Sequence, residues 1–368
     1  MFILFLSYLS LFSLALIDNA RGNLLPIIQE SLSLDATTAA FIFTGGSLSN
    51  CLFNLWLPKI RQKFQLRNLY ITSLLMMPLS VIFWNFSEIK WCYFLAPIVF
   101  GVGAGGIGTF CNIYVSASTS IEKRQNALSF LHSMYGIASF LVPVFITFLM
   151  KSMTWQKCLI FLSIPSLLVG LSFFKSDRSI AAELPSTHKT PWHLFWVALI
   201  FMMGILSEIF ISSRLVDYLY REVQFSFDRA SLYLSVFFGC LLSGRLLFSF
   251  VKFKMKKINL LLLSFSMTIL LSMIALNGHP IYFAFTGISA SWFFPVAISW
   301  IREEFESSFF SLVSMIMSFN SLALVLMHFI VGELTETIGI SKLMVLPAIF
   351  SIIAIITIFL FKKSLKAK

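Results

Sequence analysis

Charge is what this chain has least of. Asp, Glu, Lys and Arg make up 12% of its 368 residues, about half of the ~25% in an ordinary soluble domain. That scarcity excludes a water-soluble enzyme. Disorder is excluded too, because it needs low hydrophobicity, and 58% of the residues are hydrophobic with a mean hydropathy of +0.89. Acidic groups are the rarer sign, 16 against 27 basic, for a net charge of +11. In a chain this apolar the excess belongs to Lys and Arg crowding the cytoplasmic loops, not to nucleic-acid binding. The five cysteines (Cys51, Cys92, Cys111, Cys158, Cys240) are odd in number and scattered. With no CxxC and no Cys/His cluster, neither a metal centre nor a disulfide framework is expected. GxSxG, HExxH and GxxxxGK[ST] do not occur, and GVGAGGIG sits inside an apolar run rather than a βαβ unit. No cofactor is expected, and without an ATP site any transport must draw on a gradient.

What is present is a series of apolar blocks separated by short polar breaks. A spanning helix needs about 20 such residues. The blocks predict spans at 3–31, 37–58, 68–87, 91–117, 126–150, 157–174, 192–219, 230–251, 258–276, 281–301, 309–332 and 343–361. The first 17 residues lack the basic start of a secretory signal and read as the beginning of the first span. With the N-terminus inside, eighteen Lys and Arg fall in the inner loops and tail and six in the outer loops. That bias predicts both termini in the cytoplasm. The longest polar stretch, KSDRSIAAELPSTHKTP at 175–191, follows six spans and precedes six more. Its Pro, Ser and mixed charge read as a linker. The expected architecture is all-α: a six-helix bundle over 1–174, a cytoplasmic linker over 175–191, and a second bundle over 192–368. Asp18 lies 17 residues after Met1 and Glu208 17 residues after Pro191, so the first span of each half carries a carboxylate at a similar depth. The first, fourth and seventh spans contain Gly, Pro or charge and are long, which predicts tilt or local unwinding.

A charge at mid-bilayer costs roughly 2.5–3.5 kcal/mol on insertion scales, so its default reading is functional. Asp18 and Arg21 stand three apart on a helix and can pair. Asn19 and Asn23 lie beside them, and Gly22 and Pro26 loosen the stretch. The segment reads as a substrate or proton site, or as a self-neutralised structural pair. Glu208 has no basic residue at i±3 or i±4. An unpaired carboxyl in oil keeps its proton near neutrality, as a proton-coupling group must. Arg214, Asp217 and Arg221 are spaced by three and four and read as a gate network. Arg245 is expected at the cytoplasmic gate, with Glu303 or Glu304. Gly101, Gly105, Gly108 and Asn112 share a face; the glycines read as a close-packing stripe, and Asn112 as a ligand contact at its end. Leu128, His132, Gly136, Ser139 and Pro143 share another, which makes His132 a candidate. His328 reads as structural. Asn320 and Trp292 are candidate cavity liners, since an indole face stacks on the apolar side of a sugar ring.

Several of these segments resemble the major facilitator superfamily, and within it the fucose-permease-like sugar:proton symporters. LLPIIQESL is similar to the close of that group's first span, and GVGAGGIGTFCN to its Gly-rich fourth span ending in Asn. NALSFLHSMYGIASFLVP is similar to its fifth span, GILSEIFISSRLVDYL to its seventh, SGRLLFSF to its eighth and FFPV to its tenth. The chain departs from the pattern at Gly108 and Gly22, where carboxylates are usual, and at Arg214, where a Trp is usual. The resemblance implies a monomeric, multi-pass cell-membrane transporter of two six-helix bundles working by alternating access. The implied activity is proton-coupled uptake of a small polar metabolite, with a sugar or sugar-like solute first. Arg21 and Arg214 admit an anionic or zwitterionic one. Asp18, Asn19, Arg21, Asn112, His132, Trp292 and Asn320 are the expected substrate contacts. Asp18 and Glu208 are the expected proton carriers, and Arg214, Asp217 and Arg245 the expected gates. The alternative is proton-antiport efflux of amphipathic compounds.

Overall fold

The structure, a computed structural model, describes residues 2–119, 121–174, 195–250, 255–305 and 309–366. The expected linker at 175–191 lies outside them. The described residues form helices and no strand: α1 (Phe2–Ser31), α2 (Ala36–Arg61), α3 (Leu66–Asn85), α4 (Lys90–Ala117), α5 (Ile121–Leu149), α6 (Trp155–Phe173), α7 (Phe195–Arg221), α8 (Phe227–Phe250), α9 (Lys257–Asn277), α10 (Ile281–Ser291), α11 (Phe293–Glu304), α12 (Phe309–Ile338), α13 (Ile340–Leu343) and α14 (Leu346–Lys366). Among them, 11 stretches are long and apolar enough to cross a membrane. α10 and α11 together make one, Ile281–Ile301, and α13 with α14 another, Ile340–Lys362. α2 has the length, 26 residues, but carries Thr44, Ser47, Ser49, Asn50 and Asn54 along its middle. Counted with the others it completes the expected twelve.

The expectation of tilt or local unwinding in three spans is corrected as regards unwinding. The first, fourth and seventh spans do not unwind: α1, α4 and α7 are continuous. The polar stretch of α1 is held helical by its own bonds. Arg21 meets Asp18 one turn back, and Asn19 Nδ2 donates to the carbonyl of Ala15 at 2.9 Å. The interruption falls in the tenth span, at Trp292 between α10 and α11. Pro295 lies just beyond the break and has no N–H to give the carbonyl of Ser291 four residues back. The eleventh span is also longer than expected. Glu333 and Glu336 end the apolar run but not the helix, which continues to Ile338.

The chain divides into two compact units, Met1–Leu184 with His328–Glu336, and Pro185–Met327 with Thr337–Lys368. In the first, α4 packs against α2 and α3, and α1 against α4, α5 and α6. Tyr70, Phe110, Tyr114 and Phe173 fill the space between α3, α4 and α6, with Tyr70 4.6 Å from Phe173 ring to ring. Arg67 is buried and gives its Nε–H to the carbonyl of Phe173 at 3.1 Å and an Nη2–H to that of Phe174. A cation is thereby set at the negative end of α6.

The approach of α4 to α2 depends on Gly101. A Cβ there would stand 2.0 Å from both the carbonyl oxygen of Gly46 and Ser49 Oγ, whereas one on Gly108 would meet nothing within 4 Å. Gly101→Ala is therefore expected to lower stability by about 3 kcal/mol, the upper end of overpacking costs, and Gly108→Ala to leave the melting temperature unchanged. Thermal unfolding of the two purified variants separates them.

The start of α2 is fixed by carboxylates. Asp35 is its N-cap, accepting from Thr38 N–H at 2.5 Å and Thr38 Oγ1–H at 3.0 Å. Glu336, on the α12 stretch grouped with this unit, accepts from Thr37 N–H at 2.7 Å. On that stretch His328 is buried and stacks on Phe43 of α2, ring centroids 4.8 Å apart. The Thr38 N–H holds the Asp35 carboxyl below its usual range. A depressed folded-state value means that the cap stabilises fully above the unfolded pKa of about 3.9 and is lost as pH falls through the folded value. Asp35→Ala is expected to cost about 1 kcal/mol at neutral pH, and the gap between variant and wild type to close in acid. Melting temperatures recorded across pH check this.

In the second unit α7 packs on α8 and α14, α10 on α8 and α9, and α9 on α14. Phe293, at the start of α11, sits 5.6 Å from Phe201 and 5.4 Å from Phe265, tying α7 and α9 to the interrupted span.

Candidate functional site

Each unit carries a polar group built on its first helix. In the first unit both oxygens of Asp18 are taken. Arg21 Nη2–H donates to Oδ1, and the hydroxyl of Tyr135, on α5, donates to Oδ2 at 2.6 Å. Arg21 also gives an Nη1–H to the carbonyl of Ile42 on α2 at 2.9 Å. Its guanidinium lies 3.8 Å above the ring of Phe100 on α4 and 5.6 Å from that of Phe43. Beside them Asn19 Nδ2 donates to Ser139 Oγ at 2.9 Å, a second link from α1 to α5. The side chain of Arg21 is 8% exposed and that of Asp18 30%. The cation is thus anchored by a backbone carbonyl and two aromatic faces, and the carboxylate is the member open to exchange.

Tyr135 is the residue sequence reading missed. It lies one turn before Ser139, on the α5 stripe already singled out through His132, so a phenol on that stripe was the available signal. His132 itself is exposed on α5, one turn before Tyr135. Among the described residues Asn112 bonds only within its own helix, α4. Its Nδ2 donates to the carbonyl of Gly108 at 2.6 Å, and one turn earlier Thr109 Oγ1 donates to Asn54 Oδ1 at 2.9 Å. Asn54 Nδ2 in turn donates to Asn50 Oδ1 at 2.6 Å.

In the second unit Glu208 is not the solitary carboxylate the sequence suggests. Arg245 of α8 approaches its Oε1 at 3.4 Å. The expectation that Arg245 meets Glu303 or Glu304 is corrected by the same pair and by Lys257, which takes Glu303. Thirty-seven residues separate Glu208 from Arg245, so helix spacing could not reveal the match. Glu208 lines a cavity together with Ser207 of α7, Ser264 and Thr268 of α9, Thr286 of α10 and Ser351 of α14. Towards the other end of α7, Arg221 and Asp217 form an ion pair, Nε to Oδ1 2.8 Å, and Arg214 and Asp217 are each 2% exposed. Arg214 and Asp217, expected as gates, are both buried. Trp292 is buried and gives its indole N–H to the carbonyl of Leu260 at 3.2 Å, a packing position at the helix interruption. Asn320 is buried on α12.

Comparison with known proteins agrees with this architecture. The family model of the Major Facilitator Superfamily matches residues 2–281. The chain belongs to that superfamily and is a multi-pass membrane protein. Among curated proteins it is 24% identical over 146 residues to the MFS-type transporter phomT of Diaporthe leptostromiformis (39% of this chain, 24% of that one). It is 23% identical over 130 residues to the efflux pump hmp6 of Hypomyces subiculosus (34% of this chain, 23% of that one). The matched region is about a quarter of the length of these relatives. Among solved structures it resembles the POT family transporter PepTSo (TM-score 0.78, 11% identity, 99% and 98% of the two chains). It also resembles the nucleoside transporter NupG (0.77, 12%, 97% and 98%) and the E. coli fucose:proton symporter FucP (0.64, 15%, 97% and 98%). At these identities the likeness is one of fold.

Proposed function

We propose that this chain is a proton-coupled secondary transporter that takes up a small polar metabolite by alternating access, both termini lying in the cytoplasm. The observation that carries the reading is Asp18, a carboxylate within a span whose two oxygens are held by Arg21 and Tyr135. An intramembrane ionisable group that faces polar partners marks an ion or substrate pathway. A proton on Asp18 frees Arg21 and Tyr135 to bind solute oxygens; loss of the proton draws both donors back to the carboxylate. Asn19, Asn112, His132, Trp292 and Asn320 are proposed as further solute contacts, Glu208 as the second proton carrier, and Arg214, Asp217 and Arg245 as gates. The solute class proposed first is a sugar or sugar-like compound, supported by the order of the fucose-permease-like motifs. Arg21 extends it to anionic and zwitterionic solutes, because a fixed guanidinium binds carboxylates bidentately.

A thermal-shift screen of the purified protein against sugars, nucleosides, organic acids and amino acids identifies the solute, since a ligand of the native state raises its stability. Uptake of the hit into proteoliposomes then tests direction. Accumulation when the outer medium is made acid is the expected result; accumulation only when the vesicle lumen is made acid, solute entering as protons leave, contradicts proton-coupled uptake. That second outcome is the one expected of the other reading, proton-antiport efflux of amphipathic compounds. The likeness to a protein called an efflux pump and the aromatic faces around Arg21 favour it.

A further inference from the structure

The cavity beside Glu208 presents acceptors and no spare side-chain donor. A hydroxyl has one proton and two lone pairs, and every hydroxyl lining this space has spent its proton on the protein. Ser264 Oγ donates to the carbonyl of Ser289 at 2.6 Å, Thr286 Oγ1 to that of Phe283 at 2.6 Å, and Ser351 Oγ to that of Pro347 at 2.8 Å. Ser207 Oγ donates to the same Pro347 carbonyl at 3.3 Å. The one proton of Thr268 goes to the carbonyl of Ser264 or to Ser289 Oγ. Glu208 Oε2 is sealed from solvent and has no hydrogen-bond partner among the described residues, because Arg245 takes the other oxygen. The remaining lining residues are Gly, Ala, Ile and Phe. The wall is therefore lone pairs and hydrocarbon, with one carboxyl group.

The interrupted tenth span adds to the same polarity. α10 ends at Ser291, and its Thr286 and Ala290 line the cavity. A helix C-terminus carries partial negative charge, and Pro295 cannot supply the N–H that the Ser291 carbonyl would otherwise receive. Interrupted spans offer such ends to cations.

We infer that the cavity enclosed by Glu208, Ser207, Ser264, Thr268, Thr286 and Ser351 is a sodium-ion site within the second bundle. Oxygen-only ligands suit a hard cation. A single carboxylate, already shared with a guanidinium, supplies too little negative charge for a divalent ion, and the space accepts one water-sized species. Arg245 keeps Oε1 while the ion takes Oε2, so the pair need not break. The Glu208 side chain is 14% exposed against 31% for Arg245, which puts the ion at the drier end of the carboxylate. The inference concerns the ion and leans on the transporter reading only for its purpose.

The test is thermal unfolding of the full-length protein in detergent as choline chloride is replaced by sodium chloride or potassium chloride at constant ionic strength. Sodium is expected to raise the melting temperature saturably, by about 3 °C or more well above its dissociation constant, and potassium to leave it unchanged. Thr268→Val and Glu208→Gln should each weaken the sodium midpoint at least tenfold, while Thr268→Ser retains it. Should Thr268→Val not fold, Ser351→Ala reads the same wall. Identical melting in all three salts would mean that the cavity holds water only and overturns the inference. A sodium shift that is undiminished in every one of these variants overturns it equally, since the ion then binds elsewhere. A sodium response without pH-driven uptake upholds the site and rejects proton coupling; pH-driven uptake without a sodium response does the reverse.

Discussion

Asp18→Asn abolishes solute accumulation against a gradient, by at least about a hundredfold, if Asp18 carries the coupling proton. The replacement keeps the shape of the side chain and one acceptor oxygen, so Tyr135 or Arg21 can still be met, but it can neither lose nor gain a proton. It also strips Arg21 of its counter-ion at a site where the guanidinium is 8% exposed. Breaking a buried pair by removing one partner costs about 3–5 kcal/mol; the two aromatic faces and the Ile42 carbonyl that Arg21 keeps put the expected loss below that range. Folded protein is thus expected, with downhill exchange of the solute retained and uphill accumulation lost. Counterflow and pH-driven uptake, measured side by side on the same proteoliposomes, distinguish a coupling defect from a binding defect. Accumulation at the wild-type level would remove Asp18 from the mechanism.

The second large effect is expected at Glu208. Glu208→Gln should leave exchange running but flatten its dependence on pH, because an amide holds the carboxylate's place without titrating. The pair with Arg245 sharpens the expectation. The introduced amide can still accept from Arg245 through its oxygen, but the charge of Arg245 is then unbalanced, so a modest fall in stability should accompany the kinetic change. Glu208→Gln combined with Arg245→Gln should recover that stability and keep the flat profile. Exchange rates across pH, with melting temperatures of the single and double variants, check both parts; a pH profile identical to wild type rejects the assignment.

Much of the fold is written in the chain because oil leaves few alternatives. A spanning segment must satisfy its own backbone, so an apolar run of sufficient length reads as a helix. What the sequence could not show is which polar groups meet. Asp18 and Arg21 are legible as a pair because helix geometry brings i and i+3 together. Tyr135 and Arg245 come from other helices, and no spacing rule connects α1 with α5 or α7 with α8. Continuity also misled. Gly22 and Pro26 suggest a loosened α1, yet the bonds of Asn19 and Arg21 keep it wound. The interruption instead falls just before Pro295, whose Phe-Pro pair reads from sequence only as a motif. Trp292 is similar: an indole suggests a sugar platform, but its N–H belongs to Leu260. The hydroxyl wall around Glu208 was invisible for a simpler reason, since serines and threonines on separate spans look like ordinary helix residues until packing sets them around one space.

The most direct measurement of the coupling claim is proton movement itself. Proteoliposomes loaded with a pH-sensitive dye and diluted into the solute found by the thermal-shift screen should acidify inside as solute enters through the wild-type protein. The same vesicles bearing Asp18→Asn should show no pH change. Solute entry through the wild type with a steady internal pH would contradict the account.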